Sequence, residues 1–532
     1  MSVLPKYKNK RLFIKPAECE KKNWDAIVIG SGIGGMSCAA ALSKYGYKVL
    51  VLEQHYLPGG FTHMFARKGY KWDVGVHAIG EMEGREIPAK ILNWLSNNQI
   101  EMVSLGNPFD RFKFPEGYVH ALPNDKNVFI DDLKEKFPDQ INKIDKYIST
   151  VRKVTKYSKA FFLFKSFPKW LAYPLDKIYH VFQRNWWACT TSQILNEIGI
   201  EGKLKTLLTV HWGYYGSVPN ESSFPIHALT HTHFWYGAYY PRGGSKVFAE
   251  TFLGNVIEAN GEVVIRARVS KLKINAGKAI GVELESGEEF FAKKIISATG
   301  AKSTIENLLP GRYANSKWGN SILSIKSSPP YICLNLGFKG DIKKAGASSA
   351  NQWLFNTWDN NITYWDFTNP DEKPHILYVS FPSLKDPDHD SGEELKETGE
   401  CITFIKWDTF QKWENTTLKK REEDYIHLKK EIEQRILKEL RLSLPSVMKH
   451  LDYYELSTPL TTEYFTRADK GAIYGLEASP ERFTCRELRS YTPIKNFYMT
   501  GIDIASLGVV GGMTSGVLTA ASINKKIYSK LI

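Results

Sequence analysis

An α/β fold is what this sequence predicts, and three stretches of it carry the prediction. Residues 24–53 read WDAIVIGSGIGGMSCAAALSKYGYKVLVLE: an apolar run, a glycine-rich turn, a small-residue helix pattern, a second apolar run and an acid. Residues 496–516 supply another short apolar run, Phe497 to Met499, followed by Thr500, Gly501, Asp503 and a glycine-rich apolar stretch. Between the two, Val263–Val269 and Ala279–Leu284 alternate with the period of strands. The first stretch has the strand–turn–helix–strand order of a Rossmann-like unit that holds the ADP half of a dinucleotide. Because the pieces lie at opposite ends of the chain, the nucleotide domain is expected to be discontinuous, with an α+β domain inserted into it.

Each element has a physical reason. The strand of Ala26 to Ile29 ends at Gly30, which lets the chain turn sharply. Gly32 has no Cβ, so a pyrophosphate can approach its backbone, and Gly35, with Cys38, Ala39 and Ala40, lets the helix sit close on the sheet. The free N–H groups of that helix then face the phosphates. Gly34 and Gln54 belong to the same unit. Glu53, 23 residues after Gly30, is placed to accept hydrogen bonds from both ribose hydroxyls. An acid there favours a ribose without a 2′-phosphate, and by itself it does not distinguish FAD from NAD.

Near the C-terminus, Phe497 to Met499 reads as a strand, Gly501 and Asp503 as a turn with an acid, and an apolar helix is expected from about Gly512, with Gly511 and Met513 beside it. In flavoproteins of this build such an acid bonds the ribityl chain and such a helix N-terminus faces the isoalloxazine. The two ends, about 450 residues apart, then meet around one FAD. In the middle, Tyr240 to Ser245 reads as a tight turn into an apolar helix and Ile295 to Gly300 as a strand ending in small residues, and the main chain at Val269 is expected to contact adenine. The FAD domain is therefore expected from 23–90, 240–310 and 485–532, and the substrate domain from 91–239 and 311–484. No second glycine fingerprint of this quality is present, so NAD(P)H is expected only as a transient reductant.

Size and composition bound the rest. At 532 residues the chain can bury two cores. No uncharged run reaches the roughly 18 residues of a membrane span, and the basic N-terminus has no apolar stretch of a signal peptide, so a cytoplasmic location is expected. Six scattered cysteines favour neither a metal site nor a disulfide framework. A formal charge of +13 implies an anionic partner. Nucleic acid lacks a supporting motif. A membrane surface has a local one: from Arg152 to Arg184, eight basic residues and one acid, Asp176, are interleaved with Phe161, Phe162, Leu163, Phe164, Phe167, Trp170, Leu171 and Tyr173. The same pattern also suits a core-packing helix with a solvated basic edge.

The stretch VLEQHYLPGGFTHMFARKGYKWDVGVHAIGEM, Val51 to Met82, resembles the retinol saturase branch of the phytoene desaturase-like flavoproteins, which includes carotenoid isomerases. The resemblance continues at Ala238–Ser245, Ser380–Pro387, Gly471–Gly475 and Thr500–Asp503, so it covers nearly the whole chain. It implies a glutathione-reductase-type FAD fold and an enzyme acting on a carbon–carbon double bond of a long apolar polyene, peripheral to a membrane. It also implies that Gly59 and Gly60 approach the pyrophosphate or flavin. The glycine pair is followed by Phe61, where the amine-oxidase branch has arginine.

Saturation of a double bond needs a hydride from flavin N5 and a proton from a positioned acid; desaturation needs the reverse, and isomerisation no net redox change. His77 is the first proton-donor candidate because it follows the glycine pair, and Tyr214 is the second; a structural role is open for each. Phe234–Tyr236 and Tyr239–Tyr240 are candidates for a tunnel wall or for core. Saturation leads, with desaturase and isomerase as alternatives, and a non-catalytic lipid-binding escort protein as a further one.

Overall fold

A computed structural model describes residues 12–19, 23–84, 86–182, 184–418 and 420–531. The basic stretch at residues 1–11, on which part of the reading of the N-terminus rests, lies outside them. Two seven-stranded sheets organise the chain.

The first sheet runs Val269–Asn275, Lys278–Leu284, Glu289–Ser297, Trp24–Ile29, Val49–Leu52, Glu262–Val264, with Phe497–Met499 also paired to Glu289–Ser297. Its centre is parallel: Ile27 lies opposite both Ile295 and Leu50, and Ile296 opposite Tyr498. Residues 26–29, Val49–Leu52 and the end of the third strand at Ile295 and Ile296 are apolar and buried, because helices cover one face there and a second core the other. The Ile33–Ser43 helix is buried at every position, between the sheet and the Gly508–Ile523 helix. The first and last segments of the chain therefore touch.

Two sequence expectations are corrected here. The stretch Val263–Val269 is two strands, because Arg266 takes a left-handed φ of 57° and Ala267 N–H bonds Glu53 O, carrying the chain from one edge of the sheet across its end. The C-terminal helix begins at Gly508, four residues before Gly512; β-branched Val509 and Val510 beside glycines gave no helical signal.

The second sheet runs Leu451–Ser457, Tyr331–Lys339, Lys396–Phe404, Ile376–Ser380, Asn351–Phe355, Asp110–Lys113, Val119–Leu122. One face packs on the 21-residue Glu423–Ser443 helix through Leu334, Leu336, Val379 and Cys401 with Ile432, Ile436 and Leu440. The other face looks toward the first sheet.

In the Arg152–Arg184 stretch, Phe161 is core, stacked on Trp187 at 4.1 Å, and Lys165 is buried with its ammonium on the carbonyls of Cys485 and Leu488. Phe162, Leu163, Phe164, Phe167, Leu171 and Tyr173 are half-buried. Trp170, 76% exposed, and Ile178 face outward. Among the described residues no helix is long and apolar enough to cross a membrane.

Candidate functional site

A single elongated cavity runs from the end of the first sheet to the inner face of the second. At the first end, Gly30 turns the chain at a φ of 93°, and Gly32 begins the Ile33–Ser43 helix without any side-chain cap or acid in the first turn. The helix N–H groups are left for a ligand. A Cβ on Gly32 would meet no atom within 4 Å, whereas on Gly35 it would lie 2.1 Å from the Gly30 carbonyl oxygen. One glycine leaves room; the other permits helix and turn to touch. Glu53 is buried, with Oε2 accepting from Ser31 N at 2.9 Å and Ser31 Oγ at 2.5 Å, and Oε1 from His55 N at 2.8 Å. Its orientation is thus set by two backbone N–H groups and the Ser31 hydroxyl before any ligand arrives. Gly30, Gly32, Gly34, Glu53, Gln54, Gly60 and Val269 all line the cavity. Gly59 stands behind Gly60 and donates its N–H to Ser31 Oγ.

Further along, Asp503 is buried on the wall, held by the N–H groups of Ala301 at 2.7 Å and Leu476 at 2.8 Å. Buried Arg482 braces this corner by donating to the carbonyls of Leu476 and Ile502. Gly501 and Asp503 line the cavity, as do Gly508 and Val509 at the uncapped start of the C-terminal helix. Gly511, Gly512 and Met513 are buried on the flank of that helix, away from the cavity wall. A Cβ on Gly512 would stand 2.6 Å from Ile33 Cγ2, so its smallness serves helix packing. Two uncapped helix N-termini, an open glycine turn and an anchored carboxylate at one cavity suit an anionic dinucleotide.

The other half of the cavity is built by the second sheet, and its register divides it sharply. Phe112 lies opposite Trp353, Trp353 opposite Tyr378, Tyr378 opposite Ile402 and Ile402 opposite Cys333, an apolar row. Trp353, Tyr378 and Ile402, with Tyr331, Ile376 and Phe404, make an aromatic and aliphatic slot. Two residues along each strand the row is polar: Asp110 opposite Asn351, Ser380 opposite Glu400, and Glu400 opposite Asn335.

This polar row is buried and charged. Lys385, whose ammonium burial pushes down to about 8, donates to His77 O at 2.7 Å, Asn351 Oδ1 at 2.6 Å and Ser380 Oγ at 2.6 Å. Burial pushes the Asp110 carboxyl up to about 7, against the lowering effect of hydrogen bonds from Asn351 and Tyr214. Burial and then the Glu400 charge raise Asp73 to about 6, although Ser245 and Tyr240 donate to it. His77 lines the cavity with Nδ1 3.1 Å from Glu400 Oε2.

Tyr214 also lines the cavity, but its hydroxyl donates to Asp110 Oδ1 at 2.9 Å and Oδ2 at 2.8 Å. Burial and the Asp110 charge hold its phenol well above the ordinary range, so that proton is committed and Tyr214 is a poor donor to anything else. Phe234–Tyr236 and Tyr239–Tyr240 lie off the cavity wall; Tyr240 bonds Asp73, and Phe234 packs on Phe109 and Tyr214. Sequence reading missed the slot and the row because Tyr331–Lys339 and Lys396–Phe404 are buried on both faces, which erases alternation. Glu400 gave no signal of its own, because it stands in KETGECITF, a run that opens on polar residues and reads as an exposed segment.

A model of an NAD(P)-binding Rossmann-like domain matches residues 28–87. All-trans-retinol 13,14-reductase from Danio rerio is 31% identical over 94% of this chain and 85% of its own length, and that from Homo sapiens is 31% identical over 95% and 87%. The chain belongs to the all-trans-retinol 13,14-reductase family. Prolycopene isomerase from Arabidopsis thaliana is more distant, at 25% identity over 93% of this chain and 82% of its own length. Among solved structures, an oxidoreductase from Methanosarcina mazei has a TM-score of 0.59 at 16% identity, over 92% of this chain and 98% of that one, and a putrescine oxidase has 0.61 at 15%, over 94% and 99%. These two report the shared fold. Within the reductase family the long apolar slot is the part of the cavity that the nucleotide half does not explain.

Proposed function

We propose that this family member is an FAD-dependent oxidoreductase that saturates a carbon–carbon double bond of a long apolar polyene. The observation that carries this is the continuity of the dinucleotide-suited half of the cavity with the apolar slot of Tyr331, Trp353, Ile376, Tyr378, Ile402 and Phe404. The glycine turn and first helix would hold the diphosphate, Glu53 the ribose, and the Thr500–Asp503 corner the flavin-side chain of the cofactor. FAD bound there supplies hydride exchange with carbon. The slot residues orient the polyene by shape and exclude water. His77, at the junction of slot and polar row, delivers the proton. Reducing equivalents come from NAD(P)H bound transiently or from another donor.

The test is purified protein, all-trans-retinol and dithionite: a product two mass units heavier with blue-shifted absorption is expected, and an unchanged mass refutes saturation. The likeness to prolycopene isomerases favours one second reading, cis–trans isomerisation, which leaves mass unchanged and alters retention time. A product two units lighter marks a desaturase. A colourless protein that FAD does not reconstitute marks an escort protein. The expected partner surface is an anionic membrane, met by Trp170 and Ile178 on the Lys169–Phe182 helix, whose Lys177 is exposed beside them.

A further inference from the structure

His77 is held at three points. Its carbonyl accepts from Lys385 at 2.7 Å, its ring lies edge-on to Tyr378 at 5.3 Å, and its Nδ1 stands 3.1 Å from Glu400 Oε2. The third point is incomplete. At 3.1 Å the atoms are within hydrogen-bonding distance, yet the ring is turned out of line, so neither Nδ1 nor either Glu400 oxygen has a well-aligned partner. Glu400 is only 1% exposed, and a buried carboxylate without a donor is costly.

The Lys385 ammonium and three phenols beside the row donate elsewhere. Lys385 places its three protons on His77 O, Asn351 Oδ1 and Ser380 Oγ. Tyr378 donates to Asn351, Tyr214 to Asp110 and Tyr240 to Asp73. His77 Nδ1, 3.1 Å from Oε2, can supply a hydrogen to Glu400 once a small rotation of the ring brings it into line. A neutral imidazole carries one hydrogen. If the carboxylate keeps it on Nδ1, the nitrogen that gains and gives a proton is Nε2, on the ring edge turned from Glu400.

We propose that Glu400 is a positioning residue: it fixes the orientation and tautomer of His77 so that Nε2 is the proton-transfer atom at the cavity. This deepens the reading of His77 as proton donor and rests on it for its catalytic meaning.

The test uses FAD-loaded full-length protein carrying ¹⁵N-histidine, with His77→Asn to assign the ring signals. Nitrogen shifts are read at alkaline pH in the wild type, Glu400→Met, Glu400→Gln and Asp110→Asn. The wild type and Asp110→Asn, which removes a carboxylate from the same row without facing the ring, are expected to show the Nδ1–H form. Glu400→Met is expected to switch to the Nε2–H form, the one favoured by a free histidine side chain. Glu400→Gln, which can accept from or donate to the ring, is expected to mix the two.

In retinol reduction with dithionite, both Glu400 variants should lose tenfold or more in kcat with KM unchanged, a loss on the order expected for general acid catalysis. An Nδ1–H ring in Glu400→Met with wild-type flavin spectrum and melting temperature overturns the proposal, as does the Nε2–H form in the wild type. If the tautomer switches but even the wild type leaves retinol unreduced, positioning by Glu400 stands and the saturase reading falls.

Discussion

Replacement of Gly32 by valine separates room for a ligand from room for the fold. Gly32 has φ −60° and ψ 169°, an extended conformation open to a β-branched residue, and its Cβ would meet no protein atom within 4 Å. The apoprotein should therefore lose only the small difference between glycine and valine at a helix N-cap, about 0.5–1 kcal/mol. The isopropyl group would instead occupy the space in front of the helix N–H groups. Losing two charge-assisted hydrogen bonds to a diphosphate, each about 1.5–3 kcal/mol, removes about 3–6 kcal/mol of binding. That is about 10²- to 10⁴-fold in affinity. Gly35→Ala is the contrast: its methyl would sit 2.1 Å from the Gly30 carbonyl oxygen and 3.0 Å from Ala298 Cβ, so the turn itself must move, at about 1–3 kcal/mol in the apoprotein. Visible absorbance per protein, fluorescence titration with FAD, and urea unfolding of both apoproteins measure the two effects. Wild-type FAD affinity in Gly32→Val, or an apoprotein as unstable as Gly35→Ala, refutes the assignment of this glycine to the diphosphate.

Further outcomes follow from the same structure. His120 is buried with no protein partner for either nitrogen, and burial lowers its pKa to about 4. Because the unfolded chain binds that proton more tightly, its ordinary value being near 6.5, stability is full above that pH and falls as the pH drops toward 4. Comparison with His120→Leu isolates this effect from Asp73 and Asp110, whose raised pKa values act in the opposite sense; between pH 7.5 and 4.5 the wild type should lose about 2–3 kcal/mol relative to the variant, and parallel unfolding curves would contradict this. Tyr214→Phe should retain turnover within about tenfold, whereas His77→Asn should lower it by about 10²- to 10⁴-fold; equal losses would restore Tyr214 as a donor. Trp170→Ser should change stability by less than about 0.5 kcal/mol while weakening co-sedimentation with anionic liposomes, and Phe161→Ala should cost about 3–5 kcal/mol. Unaltered co-sedimentation of Trp170→Ser would remove this helix from any membrane contact.

The amino-acid sequence by itself determined the nucleotide half of this protein. The glycine turn, Val49 to Leu52 and Glu53 are adjacent in the chain, so spacing alone places a carboxylate and a helix N-terminus at one strand end. Phe497 to Met499 with Asp503 was readable for the same reason, as a second local unit. The tertiary structure decided what those units face. Trp353, Tyr378 and Ile402 come from three strands that are buried on both faces, so no periodicity marks which face meets the cavity. The neighbours of His77 were equally hidden: Glu400 and Lys385 lie more than 300 residues away in the chain, and antiparallel pairing brings Glu400 beside Ser380. It likewise decided that Phe161 is core and Trp170 surface, since helical rotation relative to a neighbour is set by packing and not by composition.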